Sequence, residues 1–306
     1  MKCFFGIVFC LSMWSFTVSS KELTGNLLSE NRTDTVIRYA PKLLTNRLPK
    51  LVEEQSGMAW HQGLFWVIND SDCQPEIIAY NKQGGIQKRV EVENARNIDW
   101  EDLAEDENYL YIGDFGNNHG NRKDLRVLKV SKKAMNQGGS VRAEEIRFAW
   151  ADQQDFSRRT HRNNYDCEAF FAWGDSLYLF TKNWADLRTR LYVLPKTPGE
   201  FKPQVRDEFE IDFLVTAADI SSDGKTIALL GYKDYLSYMT IFSNYKGTEF
   251  FKGNSIRVDL SSLGACQTEG VVFGDNNQLF ISCEKSMTPQ ALYQVEWEQW
   301  FSFSGH

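Results

Sequence analysis

Apolar runs of five or six residues recur along the chain, each entered through a polar turn from another apolar run. Five stretches share this pattern: SGMAWHQGLFWVIND from Ser56, EDLAEDENYLYIGDF from Glu101, EAFFAWGDSLYLFTK from Glu168, DISSDGKTIALLGYK from Asp219 and EGVVFGDNNQLFISC from Glu269. Their turns hold Gly63, Glu107-Asn108, Gly174-Asp175, Asp223-Gly224 and Asp275-Asn276-Asn277, residues that accept tight hairpin geometry. The runs are short and rich in Leu, Ile, Val, Phe and Tyr, which predicts strands. A third strand follows each pair (EIIAYNKQG, LRVLKVSK, RLYVLPKT, YMTIFSNYKG, ALYQVEWEQ). Four repeats add a fourth (KRVEVEN, EIRFAWA, DEFEIDF, SIRVDLS). The fifth lacks one, and an orphan strand, DTVIRYAP at 34–41, precedes the first.

Repeat starts spaced 45, 67, 51 and 50 residues apart are too long for a solenoid and suit four-stranded blades. The expected fold is all-β, a β-propeller of five four-stranded blades in which the N-terminal strand 34–41 closes the last. Six blades are the alternative, with the extra one in the longest spacing, 101–168.

Composition adds a compartment and removes some partners. Residues 1–20 read as a secretory signal, with Lys2, an apolar core over 3–16 and small residues at Val18-Ser19-Ser20. Residues 21–33 would then be a linker and 34–306 one propeller domain. The protein is expected to be exported, periplasmic or extracellular, with no membrane insertion after cleavage, and to be a monomer. A net charge of −7 argues against nucleic acid, which needs a basic surface. Beyond the signal, Cys73, Cys167, Cys266 and Cys283 include no Cys-x-x-Cys pair, which argues against zinc and allows one or two disulfides.

The candidate chemistry lies at the starts of the inner strands. Propeller geometry brings these starts to one mouth of the central channel, and four are acidic: Glu101, Glu168, Asp219 and Glu269. Asp99 and Asp166 lie two residues earlier. Converging carboxylates need a positive partner, and an all-oxygen set suits a hard cation. The expected metal is Ca²⁺ on or near the axis, held by Glu101, Glu168, Asp219 and Glu269. The loops after the second strands, Asn69-Asp70-Ser71-Asp72, Asp114-Phe115-Gly116-Asn117-Asn118 and Thr181-Lys182-Asn183-Trp184, could add ligand contacts, with Asp114, Asn117 and Lys182 the candidates, as could Lys285. His119 is the candidate general base, and His161 is a second catalytic candidate. Arg158 and Arg159, in the loop before the third repeat, could receive an anionic group. No Gly-x-Ser-x-Gly, phosphate-binding Gly-rich or His-Glu-x-x-His motif is present. A small molecule or protein at the channel mouth is the expected partner.

The phrases SGMAW…FWVINDSD, DWEDLA…LYIGDFGNN, EAFF…LYLFTKNW, LLGY and QTEGVVF…LFISCEKS resemble an uncharacterised bacterial family of exported propellers. More distantly they are similar to phytase-like, SdiA-regulated and gluconolactonase-type propellers. The resemblance spans residues 50–297. It implies metal binding at Glu101, Glu168, Asp219 and Glu269, and either a ligand-binding role or Ca²⁺-dependent hydrolysis of esters, lactones or phosphoesters. Ser56 departs from the gluconolactonase-type pattern, which has Glu there.

Overall fold

The structure, a computed structural model, describes residues 36–301. The signal and linker read at 1–20 and 21–33 lie outside the described residues. Five sheets form five blades. Blade 1 begins with strands Gln55–His61 and Leu64–Asn69, blade 2 with Trp100–Glu105 and Tyr109–Asp114, and blade 3 with Cys167–Trp173 and Ser176–Thr181. Blade 4 begins with Leu214–Ile220 and Thr226–Lys233, and blade 5 with Thr268–Phe273 and Leu279–Cys283. Within each blade the strands pair antiparallel in sequence order, and the inner strands of successive blades touch around a ring. No sixth blade interrupts 101–168.

Five apolar clusters fill the five blade-to-blade interfaces. Blade 3 shows how: Phe170 and Ala172 face blade 2, while Ala169 and Phe171 face blade 4. Both faces of an inner strand are buried, so the strands read as continuous apolar runs without alternation. The inner strands approach so closely that a Cβ on Gly57 would lie 2.2 Å from the backbone nitrogen of Leu103. Asp102 ties three of them together, its carboxylate accepting from the backbone N–H of Phe170 at 3.0 Å and Ala218 at 3.4 Å.

An N-terminal strand does close the last blade, but it is Lys42–Thr45, antiparallel to Ala291–Val295. The expected clasp at 34–41 is corrected: Val36–Arg38 instead pairs parallel with Asn254–Asp259 on the rim of blade 4. Pro41 separates the two strands; it has no N–H to donate and a fixed φ, so one strand cannot run through it. Short parallel strands cap two further rims, Ser140–Val141 on blade 1 and Gly199–Phe201 on blade 2. They satisfy backbone groups that an open edge would expose to other chains. Cys73, Cys167, Cys266 and Cys283 are free thiols rather than disulfides. Among the described residues no helix is long and apolar enough to cross a membrane.

Candidate functional site

Every inner strand breaks register at the same place. The ladder shifts between Gln55 and Met58, Trp100 and Asp102, Cys167 and Ala169, Val215 and Ala217, and Thr268 and Gly270. The residues left unpaired are Ser56 (with Gly57 after it), Glu101, Glu168, Thr216 and Glu269. A bulge frees a side chain from the pleat and re-aims it. Two of the five are hydroxyls that close onto the next blade: Ser56 Oγ donates to Trp100 O at 2.8 Å, and Thr216 Oγ1 to Thr268 O at 2.6 Å. The other three are glutamates that line the mouth.

Asp219 is not among them, which corrects the expected ligand set. It lies three residues beyond Thr216 and lines the opposite mouth. There its Oδ2 accepts from the backbone N–H of Phe273 at 2.7 Å, and burial pushes its carboxyl up to about 8. Counting back from the turn finds the right residue. Ser56, Glu101, Glu168 and Glu269 stand six or seven residues ahead of their turn residues, as Thr216 does, whereas Asp219 stands four ahead of Asp223.

A second ring of positions opposes the first, one residue beyond the partner of each bulge. It holds Asp70, Lys182, Tyr232 and Glu284. The hairpins continue to pair there: the backbone N–H of Asp70 donates to Glu54 O at 2.9 Å, that of Lys182 to Asp166 O at 3.0 Å and that of Glu284 to Gln267 O at 3.1 Å. In blade 2 this position is Phe115, which turns into the core. The two rings enclose a cavity of about 240 Å³, with His161, Trp184 and Gln267 at its rim.

On the side of blades 1 and 2, carboxylate oxygens of Asp70, Asp99 and Glu101 lie within 4.8 Å of one another. Glu101 is 7% exposed, and no donor among the described residues reaches its carboxylate. Gly116 makes this packing feasible, since a Cβ there would sit 2.0 Å from Glu101 Oε1 and 2.5 Å from Asp99 Oδ2. Burial, then Glu168 and Asp70, holds Glu101 well above the usual carboxylate range. Burial, then Asp70 and Asp166, pushes Asp99 up to about 7. These are the signs of a carboxylate group lacking its positive partner.

Across the cavity, Lys182 forms a buried ion pair with Glu168. Its Nζ lies 4.8 Å from the Trp184 ring centroid and 5.1 Å from that of Tyr232. Burial opposes the charge, but Glu168 overrides it and keeps Lys182 an ammonium. Glu269 accepts from Gln267 Nε2 at 3.0 Å and is pushed by burial up to about 7. Burial, then Glu269 and Asp70, raises Glu284 to about 9. One ammonium thus faces six carboxylates: Asp70, Asp99, Glu101, Glu168, Glu269 and Glu284.

Several expected site residues have structural work instead. Asp166 accepts from the backbone N–H of Asn117 at 2.6 Å and from Trp184 Nε1 at 2.7 Å. Asn117 caps its own loop, accepting from the Arg122 N–H at 2.9 Å. Asp114 is neutralised by Arg122 at 3.0 Å and Arg126 at 2.9 Å. Both ring nitrogens of His119 are engaged, by Arg158 at 2.8 Å and Thr160 at 2.9 Å. Arg159 pairs with Asp155, so neither expected arginine reaches over the mouth. Lys285 pairs with Glu53 at 2.7 Å on the surface. His161 does reach the rim, stacked on Trp184 with centroids 4.1 Å apart. The sequence reading missed Tyr232 and Glu284. Their signal is the offset in VIND, LFTK, LLGY and SCE, where the residue closing each phrase is the one that enters the mouth.

No protein-family model and no curated protein matches the chain. Among solved structures, it is similar to the PQQ-bound aldose sugar dehydrogenase of Streptomyces coelicolor, with 11% identity, 83% of this chain and 97% of that one covered, and a TM-score of 0.48. It is similar to the calcium-binding protein regucalcin of Agrobacterium tumefaciens, with 14% identity, 86% and 96% covered, and a TM-score of 0.44. A putative 6-phosphogluconolactonase of Bacteroides uniformis gives 14% identity, 84% and 71% covered, and a TM-score of 0.43. Likeness at this level carries no chemistry across, and the site stands on its own residues.

Proposed function

We propose that the protein is an exported, monomeric β-propeller that binds Ca²⁺ through Asp70, Asp99 and Glu101 and uses this mouth to hold a small oxygen-bearing ligand. The observation that carries the reading is Glu101, a buried carboxylate packed against two others with no donor among the described residues. Leaving such a group uncompensated is costly. Oxygen-only ligands in a loose group, with room for waters, suit Ca²⁺ better than Mg²⁺, which demands near-ideal octahedral geometry. Export rests on the signal read at residues 1–20.

The test is calorimetric titration of the protein lacking residues 1–20 with CaCl₂, paired with melting curves in calcium and in EDTA. Saturable heat and a higher melting temperature in calcium are expected, and Glu101→Gln should remove both without changing the circular dichroism spectrum. Absent heat and an unchanged melting temperature would sink the reading.

A second reading, Ca²⁺-dependent hydrolysis of an ester, lactone or phosphoester, is supported by Lys182 and Glu269 on the far wall of the same cavity. The cation would polarise the substrate oxygen. The Lys182 ammonium could stabilise developing negative charge, and Glu269, raised to about 7, has a general base's acidity. Turnover lost in both Glu101→Gln and Glu269→Gln would establish it. An inactive substrate panel with intact calcium binding would leave the binding role.

A further inference from the structure

Tyr235 and Met287 are the most exposed large hydrophobic side chains among the described residues, at 70% and 72%. Each lies three residues beyond a mouth residue, Tyr232 and Glu284 respectively. They converge on one small cavity of about 80 Å³, walled also by Tyr232, Ala265 and Gln267. Tyr232 and Gln267 line the main mouth as well, so the two spaces share a wall. The turn that presents Tyr235 is strained. Asp234 and Tyr235 take φ of 51° and 63°, left-handed values at both centres of a two-residue hairpin. Asn and Gly ordinarily fill those places, and a bulky ring there is an outlier that often marks a functional surface.

We infer that the ligand of the mouth carries a short apolar group, which packs against Tyr232, Tyr235 and Met287 while its polar head faces the carboxylates and Lys182. The inference rests on the ligand-binding role proposed for this mouth and names the ligand's class. The head is neutral. Asp70, Asp99 and Glu101 together carry one more negative charge than a divalent cation neutralises, and Lys182 is already paired with Glu168, so the mouth repels an anion, while a carbonyl or hydroxyl oxygen still coordinates the cation. The tail is small, because an apolar cavity that takes up benzene is ~150 Å³, about twice this one. A neutral ester or lactone bearing a chain of a few carbons meets both conditions, whereas the apolar face of a partner protein does not enter so small a space.

The test uses γ-lactones with no side chain, an ethyl side chain or a butyl side chain, titrated by NMR into the calcium-loaded protein. Affinity should rise ~fourfold for each of the first two or three methylenes and then level off. Tyr235→Ser/Met287→Ser, at two exposed positions where folding is not at risk, should flatten that rise and leave calcium affinity unchanged. Affinity independent of chain length, a slope unaltered in the double variant, or no lactone binding at all would overturn the inference. So would concentration-dependent self-association abolished by the double variant, which would assign the patch to a second copy. Calcium titration of the same samples is read separately, so failure of the metal site and failure of the apolar subsite are distinguishable.

Discussion

Lys182 and Glu168 face each other across the inner hairpin of blade 3 as an ion pair in which both side chains are about nineteen-twentieths buried, with 5% and 4% exposed. One sits on the bulge ring and the other on the opposing ring. Truncating the lysine strands a carboxylate in a site already crowded with them.

Lys182→Met should therefore destabilise the fold by ~3–5 kcal/mol at neutral pH, measured by urea denaturation. The double variant Lys182→Met/Glu168→Gln should recover much of the loss. If the single variant costs nothing, the pair is not the buried contact described.

Acidity at the mouth makes stability depend on pH and on calcium. Asp99 and Glu269 have usual values of 3.8 and 4.5 and are both pushed up to about 7 in the folded protein, burial leading in each case. Above the usual values the unfolded chain has released these protons, while the folded chain keeps them until about 7. Their contribution is fully present below the usual values and is lost as pH rises through about 7. In EDTA, the denaturant midpoint should fall between about pH 4 and about pH 7 and level off above that. Saturating calcium should remove the Asp99 part of that decline, because the cation favours the ionised carboxylates it binds, and leave the Glu269 part, while calcium affinity should rise over the same range. A flat EDTA profile would contradict these acidities.

Gly116→Ala should weaken calcium binding at least tenfold, because the added Cβ would occupy the space of the Glu101 and Asp99 carboxylate oxygens. Asp219→Ala should leave calcium binding intact while costing ~1–3 kcal/mol for the lost acceptor of the Phe273 N–H. Calorimetry on the two variants separates the two ends of the channel. Equal loss in both would place Asp219 back in the ligand set.

Ring closure depends on four residues. Removing residues 1–45 takes away the strand Lys42–Thr45 and leaves Ala291–Val295 an open edge in blade 5. Removing residues 1–40 takes the rim strand Val36–Arg38 from blade 4, with Tyr39 and its edge contact on Trp300, and leaves Lys42–Thr45 in place. The longer truncation should lower the melting temperature markedly and promote aggregation through the bared edge, and the shorter one should change it by a few degrees. Equal effects would argue that blade 4's rim strand shares the closure.

Blade number, the four antiparallel strands of each blade and the inner hairpins were legible in the sequence because each depends on local signals: short apolar runs, turn residues and a repeat of fixed composition; the parallel rim strands of three blades were not. Glu101, Glu168 and Glu269 were legible too, since they open three of the runs. Asp219 was misplaced because an acid near the start of a run looks the same in sequence whether it stands at the bulge or beyond it. The pairing of Val215 with Gly231 and of Ala217 with Leu230 locates the unpaired residue at Thr216, and in the sequence only the distance back from the turn carries that offset.

By itself, then, the sequence determined an all-β ring of five repeats with acids concentrated where its inner strands begin. The tertiary structure alone decided which strand closes the ring, which acids meet, and that Asp70 and Lys182 join them from the second strands. The physical reason is register. A shift of one residue reverses a side chain in a strand, and a bulge re-aims it, so convergence on the mouth depends on pairings between residues far apart in the chain.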